Sequence, residues 1–308
     1  MKMVLTFHRV WPAEQIEKNN LYKLKNTLIS TAYFEQLIET LKAAHYTFVT
    51  CNELSQYPSS ENVVAFTFDD GYYDNFQYAF PILLKHQVTA TFFPVVDPCW
   101  NNTCLPLNIY YHCVQHYIPD ITQQLAYITG PIKKKIILTP SHKQGVFIQH
   151  IFPEAPTRAS DLFMSQEQIK TLHEAGMEIG SHTLTHNSFY SAFMTRTKCL
   201  YELKKTAEMI QACINAPVHT FCFPYGHYKN KHLKWVKLAG YQQAIVCNQT
   251  DVMSNTIPVF LRCNVTENLT IEALESYNFS MQHWKTPTLH TRLKQGIKKI
   301  LHAFRWRY

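Results

Sequence analysis

The chain alternates short apolar runs with amphipathic stretches. Val4-Leu5-Thr6-Phe7 reads as a strand. Phe34, Leu37, Ile38 and Leu41 recur at helical spacing, which predicts a helix over 30–42 with Ser30 as N-cap. Residues 46–49 read as a strand. The run Val63-Val64-Ala65-Phe66-Thr67-Phe68 is apolar without alternation, the mark of a strand buried on both faces of a parallel sheet or barrel. Residues 75–86 read as helical despite Pro81, and 89–96 as another buried strand. Further on, helices are predicted over 165–175, 196–213 and 229–238, and strands over 177–181, 218–223 and 243–247. Ser165 with Gln168 makes a capping box, and Gly176 a stop signal. Alternation of this kind predicts right-handed βα units around a parallel sheet or barrel.

Two stretches break the rhythm. Residues 97–160 carry seven prolines (98, 106, 119, 131, 140, 153 and 156) and the basic cluster Lys133-Lys134-Lys135. They read as an insertion on the scaffold, a lid or specificity loop. Near the end, Leu293, Ile297, Ile300, Leu301 and Phe304 share a helical face ringed by Arg292, Lys294, Lys298, Lys299, Arg305 and Arg307. This predicts a basic amphipathic tail over 281–308, with two readings: docking on the domain, or resting through 285–308 on an anionic membrane surface.

Composition narrows the class. The 308 residues are 46% hydrophobic and 17% charged with a net charge of +7, an ordinary globular mix. The mild excess favours an anionic ligand or surface, and no nucleic-acid motif accompanies it. No run approaches the ~18 apolar residues of a membrane span. His8 and Arg9 interrupt the first apolar run at once, so no signal peptide is expected and the protein is expected in the cytoplasm. The nine cysteines match no zinc ribbon and are expected to be reduced and mostly buried.

Candidate chemistry lies where predicted strands end. Asp69-Asp70-Gly71 follows the buried strand; adjacent carboxylates repel unless a cation or proton sits between them. His182-Thr183-Leu184-Thr185-His186 follows another strand. Its spacing predicts two imidazoles on one face of a helical turn, as zinc-chelating pairs have. Thr183 stands where a zinc protease needs glutamate, which excludes that chemistry. With 16 histidines in the chain, the pair alone is weak. Together, one aspartate and two histidines give three ligands for a divalent metal, and the other aspartate remains to take a proton from water. Pro224-Tyr225-Gly226 reads as a turn whose N–H groups could hold an oxyanion. His8, ending the first strand, is a candidate general acid.

In order and spacing these motifs resemble those of the polysaccharide deacetylases of the NodB-homology type, carbohydrate esterase family 4. The resemblance covers roughly 1–270, and 1–280 is taken as the catalytic domain. It rests on Thr67-Phe68-Asp69-Asp70-Gly71, Ser181-His182-Thr183-Leu184-Thr185-His186 and Phe223-Pro224-Tyr225-Gly226, with Asp74-Asn75 and Gly176 to Gly180 as flanks. It implies an α/β fold, a distorted, incomplete (β/α) barrel of about seven parallel strands. It also implies a hydrolase that frees acetate from an N-acetylated glycan, the O-acetyl esterase, the deacylase of a lipid-linked sugar and the inactive sugar-binding module being its rivals. By resemblance Asp69 is the base, Asp70, His182 and His186 the metal ligands, and the Tyr225 N–H an oxyanion donor, with Pro224 and Tyr72 touching substrate. Zinc is the default metal, with Co, Ni or Fe also compatible. Two departures stand out. No leucine-x-His motif follows residue 270; instead Leu5-Thr6-Phe7-His8 resembles the circularly permuted branch, which includes the poly-N-acetylglucosamine deacetylases, and makes His8 the acid. Cys222 occupies the place of an arginine that orients the base, and Arg262 is the expected replacement.

Overall fold

The computed structural model describes residues 1–17, 20–58, 60–157, 162–247, 256–267, 269–270 and 273–274. The predicted tail over 281–308 lies outside them.

Ten strands are described: β1 (Lys2–Phe7), β2 (Arg9–Trp11), β3 (Leu28–Ser30), β4 (Thr47–Phe48), β5 (Val63–Asp70), β6 (Thr91–Pro94), β7 (Glu178–Ile179), β8 (Thr220–Cys222), β9 (Gln243–Cys247) and β10 (Val259–Asn264). Seven run in the order β7-β6-β5-β1-β10-β9-β8, every pair parallel, with β4 attached to β5. A parallel bridge between Ser181 and Phe221 joins the two ends. It is carried by Ser181 N–H to Thr220 O at 3.0 Å and Cys222 N–H to Ser181 O at 2.9 Å. The sheet thus closes, almost completely, into a distorted barrel with helices around it.

Period-two alternation sorts the side chains. Val4, Val63, Ala65, Phe93, Cys222 and Ile245 form one buried cluster inside the barrel. Phe7, Phe66, Phe68 and Phe92 belong to another, under Phe34 of the helix Thr31–Ala43. Phe68 and Phe92 stack at 4.7 Å between centroids, a contact that adds to their burial. Because Val63 and Ala65 face inward, so do Thr67 and Asp69; because Val4 does, so do Thr6 and His8. The Thr6 and Thr67 hydroxyls meet at 3.1 Å. Alternation alone therefore carries Asp69 and His8 to the interior at the carboxyl end of the barrel.

The insertion is helical, not a loop. Five helices fill it: Val96–Asn101, Pro106–Tyr117, Ile121–Thr129, Pro131–Leu138 and Ser141–Ile151. Pro106 and Pro131 open helices, where the missing N–H costs nothing, so residues that read as breakers are starts. Tyr110, Val114, Ile128, Ile136 and Ile148 make its own core, closed by Leu21, Tyr22 and Leu28 from the N-terminal segment. The expected helix over 75–86 begins instead as a π turn, Asn75–Ala79, before Phe80–Lys85. The wide turn absorbs the backbone donor that Pro81 cannot supply. All nine cysteines are free, six of them buried. Among the described residues no helix is long and apolar enough to cross a membrane.

The seam leaves no room beside it. A Cβ at Gly180 would lie 2.3 Å from the Phe93 ring and 2.9 Å from Thr220 O. Gly180→Ala is expected to lower stability by about 1–3 kcal/mol through overpacking, read as a lower urea midpoint at unchanged m-value.

Candidate active site

Each motif sits on a carboxyl end of the barrel. At the end of β5 the backbone turns through Asp70 at φ 70° and Gly71 at φ 85°. The second of these needs glycine, since a Cβ there would meet Cys99 Sγ at 2.8 Å and Pro94 Cα at 3.1 Å. The turn splits the two carboxylates between two environments.

Asp69 points inward onto Arg262 of β10. Arg262 Nη1 donates to Oδ1 at 2.6 Å and Nη2 to Oδ2 at 2.5 Å, a bidentate fork with both side chains almost fully buried. Arg262 Nε donates to Cys247 Sγ at 2.9 Å. Burial pushes the Asp69 carboxyl upward, but Arg262, then His182, more than offset it and hold it below its ordinary value. His8 Nε2 lies 3.7 Å from Asp69 Oδ2, and its Nδ1 is buried without a hydrogen-bond partner. Burial lowers the His8 imidazole, against the opposing pull of Asp69 and Asp70.

Asp70 faces the histidines. Its Oδ1 lies 3.6 Å from His182 Nε2 and 3.2 Å from His186 Nε2. One ligand atom from each of the three residues falls within 4.8 Å of the others. The histidines do not share a helical turn. Thr183 (φ 73°) and His186 (φ 57°) take left-handed backbone, which folds the segment into a tight loop. Thr183 Oγ1 accepts the His186 N–H at 3.0 Å, an alternative to helical bonding that threonine readily offers. His182 Nδ1 faces Cys222 O at 3.0 Å. A carbonyl only accepts, so Nδ1 carries the proton and Nε2 presents its lone pair toward Asp70. Burial, chiefly, lowers His182 to about 4, which keeps it neutral and able to ligate. A carboxylate and two imidazole nitrogens at this separation fit a divalent cation with room for further ligands.

Tyr225 is left-handed as well, at φ 58°, with its ring 4.5 Å from that of His186. Gly226 and His227 make the turn's hydrogen bonds, to Phe223 O and Pro224 O, so the Tyr225 N–H stands outside them. Pro224 is buried and opens the turn. Tyr72, expected to touch substrate, is packed among aromatic and cationic neighbours. It is 5% exposed, stacked on Phe163 at 5.0 Å, covered by the Arg9 guanidinium at 4.1 Å, and its hydroxyl accepts from Asn108 Nδ2 at 2.9 Å. Arg9 binds Asp74 at 2.6 Å and lies over the Tyr72 ring.

Sequence reasoning missed Glu202. Its carboxylate accepts from Leu184 N (2.9 Å), Thr185 N (3.0 Å) and Thr185 Oγ1 (2.5 Å), and so ties down the loop between the two histidines. The signal was present, since Glu202 lies on the buried stripe Cys199, Leu203, Thr206 and Ile210 of the helix Arg196–Ile214, where a carboxylate needs a reason. Glu202→Ala leaves two half-buried N–H groups without acceptors. It is expected to destabilise the fold by about 2–4 kcal/mol and to weaken cation affinity, measured by thermal melts with and without zinc.

The family model described as polysaccharide deacetylase matches residues 56–244, well over half of the chain. YxkH of Bacillus subtilis (strain 168), named as a candidate polysaccharide deacetylase, is 23% identical over 186 residues, 60% of this chain. The match spans 45% of the length of that relative. Among solved structures, the Streptococcus pyogenes deacetylase PplD in complex with acetate superposes with a TM-score of 0.59 at 16% identity, over 91% of this chain and 98% of its own. IcaB from Ammonifex degensii gives 0.59 at 17% identity, over 90% and 96%. At such identities the structures establish a shared fold.

Proposed function

The chain belongs to the polysaccharide deacetylase family, and on that premise we propose that it is a metal-dependent hydrolase that removes N-acetyl groups from an amino sugar of a glycan and releases acetate. One observation carries the reading: Asp69 with Arg262, and Asp70 with His182 and His186, converge on one barrel mouth that also holds His8 and Tyr225.

Asp70, His182 and His186 would hold the cation, zinc by donor type, with Co, Ni or Fe compatible with the same set. When bound, it supplies Lewis acidity to the amide carbonyl and acidity to water. Asp69 accepts the proton of the attacking water. Arg262 keeps that carboxylate ionised and fixes both of its oxygens, the work of the arginine displaced by Cys222. The Tyr225 N–H donates to the oxyanion, preorganised by the turn and needing no rearrangement. His8 protonates the departing amine, a step that an amide requires far more than an ester does, since an amine anion is the poorer leaving group. Its place beside Asp69 supports the N-acetyl reading over O-acetyl.

Three variants test the roles, with acetate release from N- and O-acetylated oligosaccharides as readout. Asp69→Asn is expected to cut kcat about 10²–10⁴-fold with metal content unchanged. His186→Ala is expected to lose the metal, as measured by elemental analysis. Arg262→Ala leaves metal in place and removes the cation that depresses Asp69. The carboxyl then rises, and the acidic limb of the kcat/KM profile moves to higher pH. An unmoved limb with full turnover would remove Arg262 from the mechanism.

A further inference from the structure

The segment after His186 and the turn around Tyr225 meet again beside the metal site. Ser188 and Tyr190 follow His186 by two and four residues, and His227 follows the Pro224–Gly226 turn directly. Phe189, between the first two, is 3% exposed with its ring 5.3 Å from that of Phe223, which anchors the segment. The rings then form a line. His186 and Tyr225 lie 4.5 Å apart between centroids, Tyr225 and His227 5.7 Å, and His227 and Tyr190 4.6 Å, the last pair nearly parallel at 8°. Exposure rises along this line. His186 is 8% exposed, Tyr225 and His227 are half-buried, and Tyr190 is 41% exposed. Aromatic surface thus leads from a candidate metal ligand to solvent.

Hydrogen bonds set which proton His227 carries. Ser188 Oγ accepts from the Tyr190 N–H at 3.2 Å and lies 2.7 Å from His227 Nδ1. Ser188 is fully buried, and its hydroxyl proton has no other acceptor among the described residues. Left unpaired, that proton would be costly. Ser188 therefore donates to Nδ1, and the neutral ring carries its proton on Nε2. Burial, then Lys134 and Lys133, lower the imidazole from its ordinary value and favour this neutral form. Nε2 makes no hydrogen bond among the described residues, on a ring that is half-buried. Tyr190 is fixed as well, its hydroxyl donating to Tyr228 O at 2.9 Å. An N–H donor and an apolar ring are held in place before any ligand arrives, which spares the ordering cost of binding.

Resting on the deacetylase reading, we propose that His227 and Tyr190 bind the sugar next to the one being deacetylated, and so select a glycan chain over a free monosaccharide. The His227 Nε2–H donates to a hydroxyl or acetyl oxygen of that neighbouring unit, and the Tyr190 ring covers its C–H face. A sugar combines polar edges with an apolar face, and tyrosine supplies apolar area at little rotamer cost. The two motifs that build the metal site and the oxyanion turn thereby extend, through the residues just after them, into a ledge that reads chain length.

The test uses the full chain loaded with zinc, with N-acetylglucosamine as the single unit and its trimers in β-1,4 and β-1,6 linkage as chains. The expected result is a kcat/KM per acetyl group about tenfold or more higher for at least one trimer than for the monosaccharide, expressed mainly in KM. Tyr190→Ala and His227→Ala are each expected to shrink that ratio about tenfold at unchanged zinc content. Tyr190→Phe, which keeps the ring, and His227→Gln, which keeps an N–H donor, are expected to restore most of it. Should His227→Ala fail to fold because Ser188 loses its acceptor, Tyr190→Ala, at the surface, decides. Calorimetric titration of the Asp69→Asn variant is expected to show the same preference for the trimer, lost when Tyr190→Ala is added. Equal preference for monosaccharide and both trimers, or a ratio indifferent to Tyr190 and His227, overturns the proposal and leaves the deacetylase reading standing. Trimer binding that depends on these two residues, without acetate release from any probe, overturns that reading instead and retains the ledge. Neither binding nor acetate release with any probe overturns both.

Discussion

Two carboxylates side by side at the end of a fully buried strand are an electrostatic problem, and the structure is organised around its solution. Desolvation alone would protonate at least one of them. Each instead faces its own partner on a different side of the mouth. Asp69 turns inward to a guanidinium that crosses from β10, and Asp70, on left-handed backbone, turns to a pair of imidazoles. The strand alternation that separates the two is the alternation that packs the barrel interior. Chemistry and packing here follow from one geometric rule.

The bidentate ion pair illustrates what such an arrangement costs. A buried salt bridge is a weak source of stability, because desolvation of both partners consumes much of their attraction. Its value at this mouth lies in fixing a charge and an orientation. With both oxygens engaged, the carboxylate cannot rotate, and its basicity is set by a neighbour that never loses its proton. The same economy runs through the histidine loop, where the backbone carbonyl of Cys222 sets a tautomer and the buried Glu202 holds the intervening N–H groups.

Much of this was legible in the residues. The continuous apolar run before Asp69 announced a doubly buried strand, and 243–247 matches β9 residue for residue. Capping signals located Ser30 and Ser165 correctly. Arg262 could be named through the family resemblance, because Cys222 stands where an arginine was expected. What was not legible depended on tertiary partners. The histidine spacing suits a helical turn equally well, and only the Thr183 hydroxyl with the left-handed positions decides against it. Prolines in the insertion read as interruptions because a proline before a helix and one within a loop look alike in isolation. That Arg9, held by Asp74, lies over the Tyr72 ring was likewise invisible in the sequence. The pairing of β2 with β3, only three residues long, left too short a pattern to detect.

The barrel is closed by one bridge, between Ser181 and Phe221, and the residues after each of these are His182 and Cys222. The first is a candidate metal ligand, and the second offers the carbonyl that orients it. A fluctuation that unzips this edge would swing the imidazole away from Asp70 in the same movement. A cation on that imidazole would be coupled to the join through the bond to Cys222 O. Breathing of the fold and readiness of its chemistry would then be one motion, governed at the thinnest point of the wall.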